Sequence, residues 1–319
     1  MIWNIPEGGD VTILVTGATG FLGKRVCHKL AERSLSFERT SLSLGVDLRR
    51  REEAIALFSK VRPTTVLNCA SFVGGIQFGF KRPADIFLNN MPMVANLFEA
   101  AQLSGVKRFV NPVSNCVYPR DKTLFKESEI WDGALDDSVL VYGMMRKMSW
   151  VGAWAYARQY GLETLNLVLS NMYGPEDHFE EERSHALGAL VMKFFRAKAQ
   201  NDPAVIVWGS GKPVREWLYV DDGAEAMIRG MNASATPDFV NVGVAEGISV
   251  MDLAIKIRAA VGYEGEIVLD PTKADGAPYK TVDGTRGAQA LGWRPQVSLD
   301  EGIASTVAWY RQHGIDANF

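Results

Sequence analysis

Thr16-Gly17-Ala18-Thr19-Gly20-Phe21-Leu22-Gly23 decides the fold of this chain, because of what stands on either side of it. The preceding Val11-Thr12-Ile13-Leu14-Val15 reads as a buried strand, and the following Lys24 to Arg33 has helical character. Strand, glycine turn and helix in that order make a phosphate-binding unit. Gly17 permits the tight turn, Gly20 lets the backbone approach a pyrophosphate, and Gly23 lets the helix pack closely on the strand. The helix N-terminus offers free N–H groups and the positive end of its dipole. A glycine pattern alone is weak; the flanking strand and helix set it above the plain alternative, a turn without a ligand.

Outward from that unit, strand-like runs alternate with helical ones. Strands are predicted near Thr40 to Leu44, at Thr65-Val66-Leu67-Asn68-Cys69-Ala70, at Arg108-Phe109-Val110-Asn111-Pro112-Val113 and at Thr164 to Leu169. Helices are predicted at Arg51 to Lys60, Pro92 to Leu103 and Tyr142 to Tyr160. This alternation predicts an α/β fold, a Rossmann-type doubly wound parallel sheet with helices on both faces. Ligands bind such sheets beyond the carboxyl ends of the strands, and Gly17, Ala70 and Ser114 all stand at such ends. Beyond about His178 the pattern loosens. A helix at Ala186 to Ala199, the run Val205 to Trp217 and the stretch Ile267 to Lys280 predict a smaller α/β C-terminal substrate lobe. Residues 1–175 are assigned mainly to the dinucleotide domain and 176–319 mainly to the lobe, with 205–245 returning to the main domain.

At 319 residues, 47% of them hydrophobic and 22% charged, the chain has the composition of a globular protein with a large core. Its net charge of −3 argues against nucleic acid as the main partner. No apolar run reaches about 18 residues, and Met1-Ile2-Trp3-Asn4-Ile5-Pro6-Glu7 lacks a basic region followed by an apolar stretch. A cytoplasmic protein with no membrane partner is expected. The three cysteines, Cys27, Cys69 and Cys116, form no Cys-x-x-Cys pair, so neither a disulfide framework nor a metal site is expected. Cys27 and Cys69 read as small buried hydrophobes. Cys116, just past a strand end among polar residues, stands where a functional thiol would be placed.

The chemistry lies between Ser114 and Arg146. Ser114-Asn115-Cys116 is followed by Tyr142, and four residues later by Arg146. A tyrosine held against a hydroxyl and a fixed cation is the proton-transfer half of a hydride-transfer site. On a helix Tyr142, Arg146 and Ser149 or Trp150 share one face, whereas Lys147 is rotated by about 100° and points elsewhere.

These residues carry a family resemblance. Val73-Gly74-Gly75-Ile76, Pro83-Ala84-Asp85, Ser114 to Pro119, Asn171-Met172-Tyr173-Gly174-Pro175, Ser184-His185, Val207 to Gly211, Arg215-Glu216 and Val220-Asp221-Asp222 cover nearly the whole chain. With them the chain resembles the extended short-chain dehydrogenase/reductases (NAD-dependent epimerase/dehydratase type). Within these it is most similar to the GDP-L-fucose synthase family, which epimerises C3 and C5 of a GDP-4-keto-6-deoxy sugar and reduces C4. The resemblance implies that Ser114 and Tyr142 flank the C4 carbonyl, with Tyr142 as proton donor. It makes Cys116 and His185 the base and acid at C3 and C5, where the neighbouring ketone acidifies both carbons. Val73, Gly74, Asn171, Trp208, Arg215 and Lys280 are implied to line the nucleotide-sugar pocket, Arg215 meeting the diphosphate with its planar fork. The plain alternatives are a capping role for His185, a core role for Trp208 and Trp217, and an exposed Lys280. The family also implies a homodimer formed by the helices at Pro92 to Leu103 and Tyr142 to Tyr160.

Two departures bear on function. Arg146 stands where the family has the lysine that holds the nicotinamide ribose, and arginine is bulkier with a spread charge. Tyr279 stands where the family has an arginine, which leaves the sugar and the base open. No Asp or Glu closes the second strand around Ser41 to Leu44, where a carboxylate binds the ribose 2′-hydroxyl of NAD. The cofactor is therefore read as NADP, with NAD as the alternative. Its expected contacts are Gly17, Thr19, Gly20, Phe21, Leu22, Gly23, Arg39, Asp47, Leu48 and Ala70, with Tyr142 and Arg146. The sequence leaves three readings: the bifunctional enzyme, an enzyme keeping one half reaction, and a dinucleotide sensor without catalysis. Joint presence of Cys116, Tyr142 and His185 speaks against the last, since a sensor needs none of them.

Overall fold

The computed structural model of the protein describes residues 12–180, 183–233, 239–273 and 275–314. Val11 and the segment Met1 to Glu7 lie outside these. The first five strands are Ile13–Thr16 (β1), Phe37–Thr40 (β2), Thr65–Asn68 (β3), Arg108–Ser114 (β4) and Glu163–Leu169 (β5). Asn171–Tyr173 (β6), Ala204–Trp208 (β7) and Val214–Tyr219 (β8) leave the sheet, and Phe239–Val242 (β9) rejoins it. The order among the described residues is β2-β1-β3-β4-β5-β9, all parallel. From β1 the chain winds outward to β2 and then returns past β1 to β3. That reversal opens a crevice at the carboxyl ends of β1 and β3, the place where such folds bind ligands.

The helices of the main domain are Phe21–Glu32 (α1), Arg51–Val61 (α2), Ile76–Lys81 (α3), Pro83–Leu103 (α4) and Leu140–Tyr160 (α5). Ala186–Gln200 (α6) belongs to the lobe and Val220–Arg229 (α7) packs back against α1. Alternation along the strands sorts the two layers. Ile13 and Val15 join the core under α1 and α7, while Leu14, Val66 and Phe109 join that under α2, α4 and α5. Cys27 and Cys69 are half-buried against the first of these cores, and burial pushes both thiols up. Trp217 is a core residue, 5% exposed.

The lobe continues with Gly247–Ser249 (β10), Val250–Val261 (α8), Glu266–Asp270 (β11), Tyr279–Lys280 (β12), Thr285–Leu291 (α9) and Leu299–His313 (α10). Its core lies between α6, α8 and α10. Within 205–245, β7 pairs with β11 in the lobe, whereas α7 and β9 lie on the main domain. α9 also packs on β9.

Of the element boundaries that differ from expectation, three have a clear local cause. The second strand ends at Thr40, and Leu42–Leu44 form a 3-10 turn closed by Gly45 in the left-handed region; Leu42 and Leu44 are exposed, so no sheet buries them. α4 begins at Pro83 rather than Pro92. Pro83 takes the first-turn position that suits proline, and Pro92 is accommodated inside a helix held by its apolar face. The run Val205 to Trp217 splits into β7 and β8, because Gly209 and Gly211 take positive φ of 83° and 73°.

Candidate active site

The crevice starts at Gly17, whose φ of +62° and close approach to the Cys69 backbone leave no room for a side chain. Gly20 is the N-cap of α1 and no side chain caps that end, so its N–H groups face the crevice loop unclaimed by a capping side chain. At the end of β2, Thr19 Oγ1 lies 2.9 Å from Ser41 Oγ and 2.8 Å from Ser43 Oγ, and the two serine hydroxyls are 3.0 Å apart. Arg39 is exposed beside them on β2. Asp47 is claimed by Arg49, with contacts of 2.7 Å to both carboxylate oxygens, and the hydrogen bond to Arg49 holds its carboxyl below the usual range. Leu48 is buried, and Ala70 N–H donates to Asn68 Oδ1 over 3.2 Å. This edge suits a phosphorylated ribose: donors and hydroxyls surround it, and the strand end carries no carboxylate.

Ser114 ends β4 and its hydroxyl accepts from Cys116 N–H over 3.2 Å, which fixes the turn carrying the thiol. The first turn of α5 lies directly on that turn. Gly143 packs against the Cys116 carbonyl with no space for a Cβ, and so sets Tyr142 beside it. Arg146 Nε donates to Tyr142 Oη over 3.0 Å, and a terminal nitrogen donates to the Pro112 carbonyl over 3.2 Å. Lys147 points away as its helical position requires: its ammonium donates to the Ile130 carbonyl at 2.6 Å beneath the Trp131 ring.

From the lobe, Lys280 Nζ reaches Cys116 Sγ at 3.4 Å. Lys280 is 7% exposed, so the exposed reading is corrected: parallel pairing of β12 with β8 at Arg215 buries it over the thiol. His185 is the N-cap of α6; the residue keeps exposed surface, while protein atoms enclose its imidazole. That enclosure first, then the charge of Lys280, then His178, lower its pKa to about 4. The imidazole is therefore neutral at pH 7. The Val73-Gly74-Gly75 loop joins it, since Gly75 N–H donates to Arg183 O over 3.0 Å and Gly75 abuts the Ser184 carbonyl.

The remaining expected pocket residues brace the lobe. Asn171 Nδ2 donates to the Glu216 carbonyl. Trp208 is half-buried with the Lys193 and Lys273 ammonium groups 4.3 and 5.7 Å from its ring centre. Arg215 is 8% exposed, and its terminal nitrogens donate to the carbonyls of Val214, Pro278 and Asp275; burial lowers its pKa. Asp275, not singled out in the sequence, ties this segment to the Trp208 turn by accepting from Ser210 N–H and Oγ at 2.7 and 2.8 Å. Glu216, which the sequence marks only as part of the Arg215-Glu216 pair, has a structural role. It is fully buried and accepts from Ser170 Oγ, Val244 N–H and Val282 N–H at 2.8, 2.6 and 2.8 Å, which joins lobe to main domain. The signal was a charged pair inside the apolar strand Val214 to Tyr219.

Comparison with known proteins agrees with this geometry. Residues 13–243 match the NAD dependent epimerase/dehydratase family. The chain is 33% identical over 313 residues to the probable GDP-L-fucose synthase 1 of Oryza sativa subsp. japonica, covering 98% of this chain and 94% of that one. It is 34% identical over 319 residues to the GDP-L-fucose synthase of Escherichia coli (strain K12), covering 94% and 97%. A crystal structure of a GDP-L-fucose synthetase from Naegleria fowleri bound to NADP superposes with a TM-score of 0.85 at 28% identity, covering 98% and 97%. With its doubly wound sheet, its glycine turn and its tyrosine–cation pair, the chain belongs to the NAD dependent epimerase/dehydratase family.

Proposed function

We propose that this protein is an NADP(H)-dependent epimerase/reductase acting on a GDP-linked 4-keto-6-deoxy sugar, hexose or heptose. The observation that carries the reading is the packing of the Tyr142 turn on the Cys116 turn. It sets two proton-handling pairs side by side: Tyr142 with Arg146 at 3.0 Å, and Cys116 with Lys280 at 3.4 Å. The named GDP-L-fucose synthase relatives support the substrate class, and the NADP-bound relative supports the cofactor. Gly17, Gly20 and Gly23 would hold the pyrophosphate, and Thr19, Ser41, Ser43 and Arg39 the adenine-side phosphate. When bound, the cofactor would supply the hydride for C4. Cys116 and His185 move protons at C3 and C5, each removal giving the enolate of the 4-keto group and each return, to the opposite face, setting the inverted centre. Lys280 places a positive charge beside the sulfur. Tyr142 donates its proton to the C4 oxygen, and Arg146 holds the phenolic oxygen in place.

A second reading, epimerisation without reduction, is favoured by one residue: Arg146 in place of the family lysine. Incubation with GDP-4-keto-6-deoxy-D-mannose and either NADPH or NADH decides between them. A product heavier by two hydrogens, formed faster with NADPH, is the expected outcome; unchanged substrate would contradict both readings. A homodimer belongs to the proposal, supported by an outward apolar stripe of Leu140, Met144, Met148 and Trp154 on α5, with Phe87 and Leu88 exposed on the adjacent α4. No helix among the described residues is long and apolar enough to cross a membrane, and we place the protein in the cytoplasm.

A further inference from the structure

A row of buried amides crosses the main sheet one step short of the site. On the α5 side of the sheet, Leu14, Val66 and Phe109 form one apolar row in register. Two residues further along the same face stand Thr16, Asn68, Asn111 and Asn166, where apolar side chains would pack as well. Thr16 pairs with Asn68 and Asn111 with Asn166 in the strand register. Thr16 Oγ1 donates to Asn68 Oδ1 (2.7 Å), Asn68 Nδ2 to Asn111 Oδ1 (3.0 Å), and Asn111 Nδ2 to Asn166 Oδ1 and to Ser149 Oγ (both 2.9 Å). Thr16, Asn111 and Ser149 are 0% exposed, Asn166 1% and Asn68 3%. Each unpaired buried amide would cost about 1–3 kcal/mol, so this row is tolerated only because it is connected.

We propose that Asn111 and Ser149 are positioning residues for the reduction step, resting on the function proposed above. Tyr142, Arg146 and Ser149 lie on one face of α5. Opposite them β4 supplies successive anchors: the Asn111 side chain for Ser149, and the Pro112 carbonyl for Arg146. Apolar packing alone leaves a helix free to slide or turn slightly, whereas a hydrogen bond is directional. The Asn111–Ser149 bond therefore fixes the rotation of α5, and with it where Tyr142 Oη and Arg146 point. The other end of the row reaches the crevice, since Asn68 Oδ1 also accepts from Ala70 N–H. One connected set thus ties the crevice floor to the tyrosine helix. Cys116, His185 and Lys280 make no hydrogen bond to the row, so epimerisation should depend on it far less than reduction does.

Ser149→Ala tests this in the whole protein, with GDP-4-keto-6-deoxy-D-mannose and NADPH in D2O as the probe. NADPH oxidation is expected to fall about tenfold, since small misplacements near a reacting atom are costly, while deuterium uptake at C3 and C5 keeps its rate and the NADPH KM is unchanged. The ratio of the two rates on one sample separates positioning from folding, because a merely structural loss lowers both together. Ser149→Thr, which keeps the hydroxyl, should recover most of the oxidation. Loss of both rates in proportion, or an unchanged ratio, overturns the proposal. A parent protein that takes up deuterium without oxidising NADPH overturns the reading beneath it, and is recognised before any variant is made.

Discussion

Arg146 Nε lies 3.0 Å from the phenolic oxygen of Tyr142, one helical turn earlier, and the same guanidinium holds the Pro112 carbonyl within β4. A lysine has one ammonium group and cannot make this two-point brace with fixed geometry. The arginine thus fastens the tyrosine both to its helix and to β4.

Removing that brace should act on reduction alone. Arg146→Met is expected to lower NADPH oxidation by about a hundredfold, within the range for impaired acid catalysis, and to leave deuterium exchange at C3 and C5 in place. Arg146→Lys should fall between the two. Steady-state oxidation and proton NMR of the sugar, on the same samples, check this; a methionine variant that oxidises NADPH at the parent rate would remove Arg146 from the account.

The fold was legible where its signals were local. The glycine turn between Ile13–Thr16 and Phe21–Glu32 needs no distant partner to be read, and neither do Tyr142 and Arg146 on one helix face. Lys280 was not legible as a partner of Cys116: 164 residues separate them, and only the pairing of β12 with β8 brings them together. Asn68, Asn111 and Asn166 likewise sit in separate apolar runs, and the strand order alone makes them neighbours. The start of α4 at Pro83 is not legible in the helical pattern beginning at Pro92, because Pro92 stands inside the observed helix.

The charge of Lys280 also helps to lower the pKa of His185 to about 4. In Lys280→Met that pKa should rise toward the ordinary histidine value. The sign follows for stability. An unfolded histidine takes up its proton near pH 6.5, the folded one only near about 4, so acidification through that window favours unfolding, and less so in the variant. NMR titration of the imidazole protons measures the shift; an unmoved midpoint would separate the two residues.

Glu216 joins lobe and main domain through Ser170, Val244 and Val282. Glu216→Gln turns an amide donor toward at least one of those donors and should cost about 1–3 kcal/mol of stability. Equilibrium urea unfolding checks it, and an unchanged midpoint would show that the carboxylate is dispensable.

Met148 stands in the exposed apolar stripe of α5, roughly opposite the buried Arg146. Met148→Glu should convert a dimer to monomers in solution scattering, since a charge in an apolar interface is left unpaired. A mass unchanged from a dimeric parent would place the interface elsewhere.

The most direct test of the account is one incubation of the protein with GDP-4-keto-6-deoxy-D-mannose and NADPH in D2O, following NADPH absorbance and deuterium in the sugar together. The account predicts NADPH oxidation with deuterium at both C3 and C5. Deuterium without oxidation would contradict the role given to Tyr142 and Arg146, and neither signal would contradict the substrate itself.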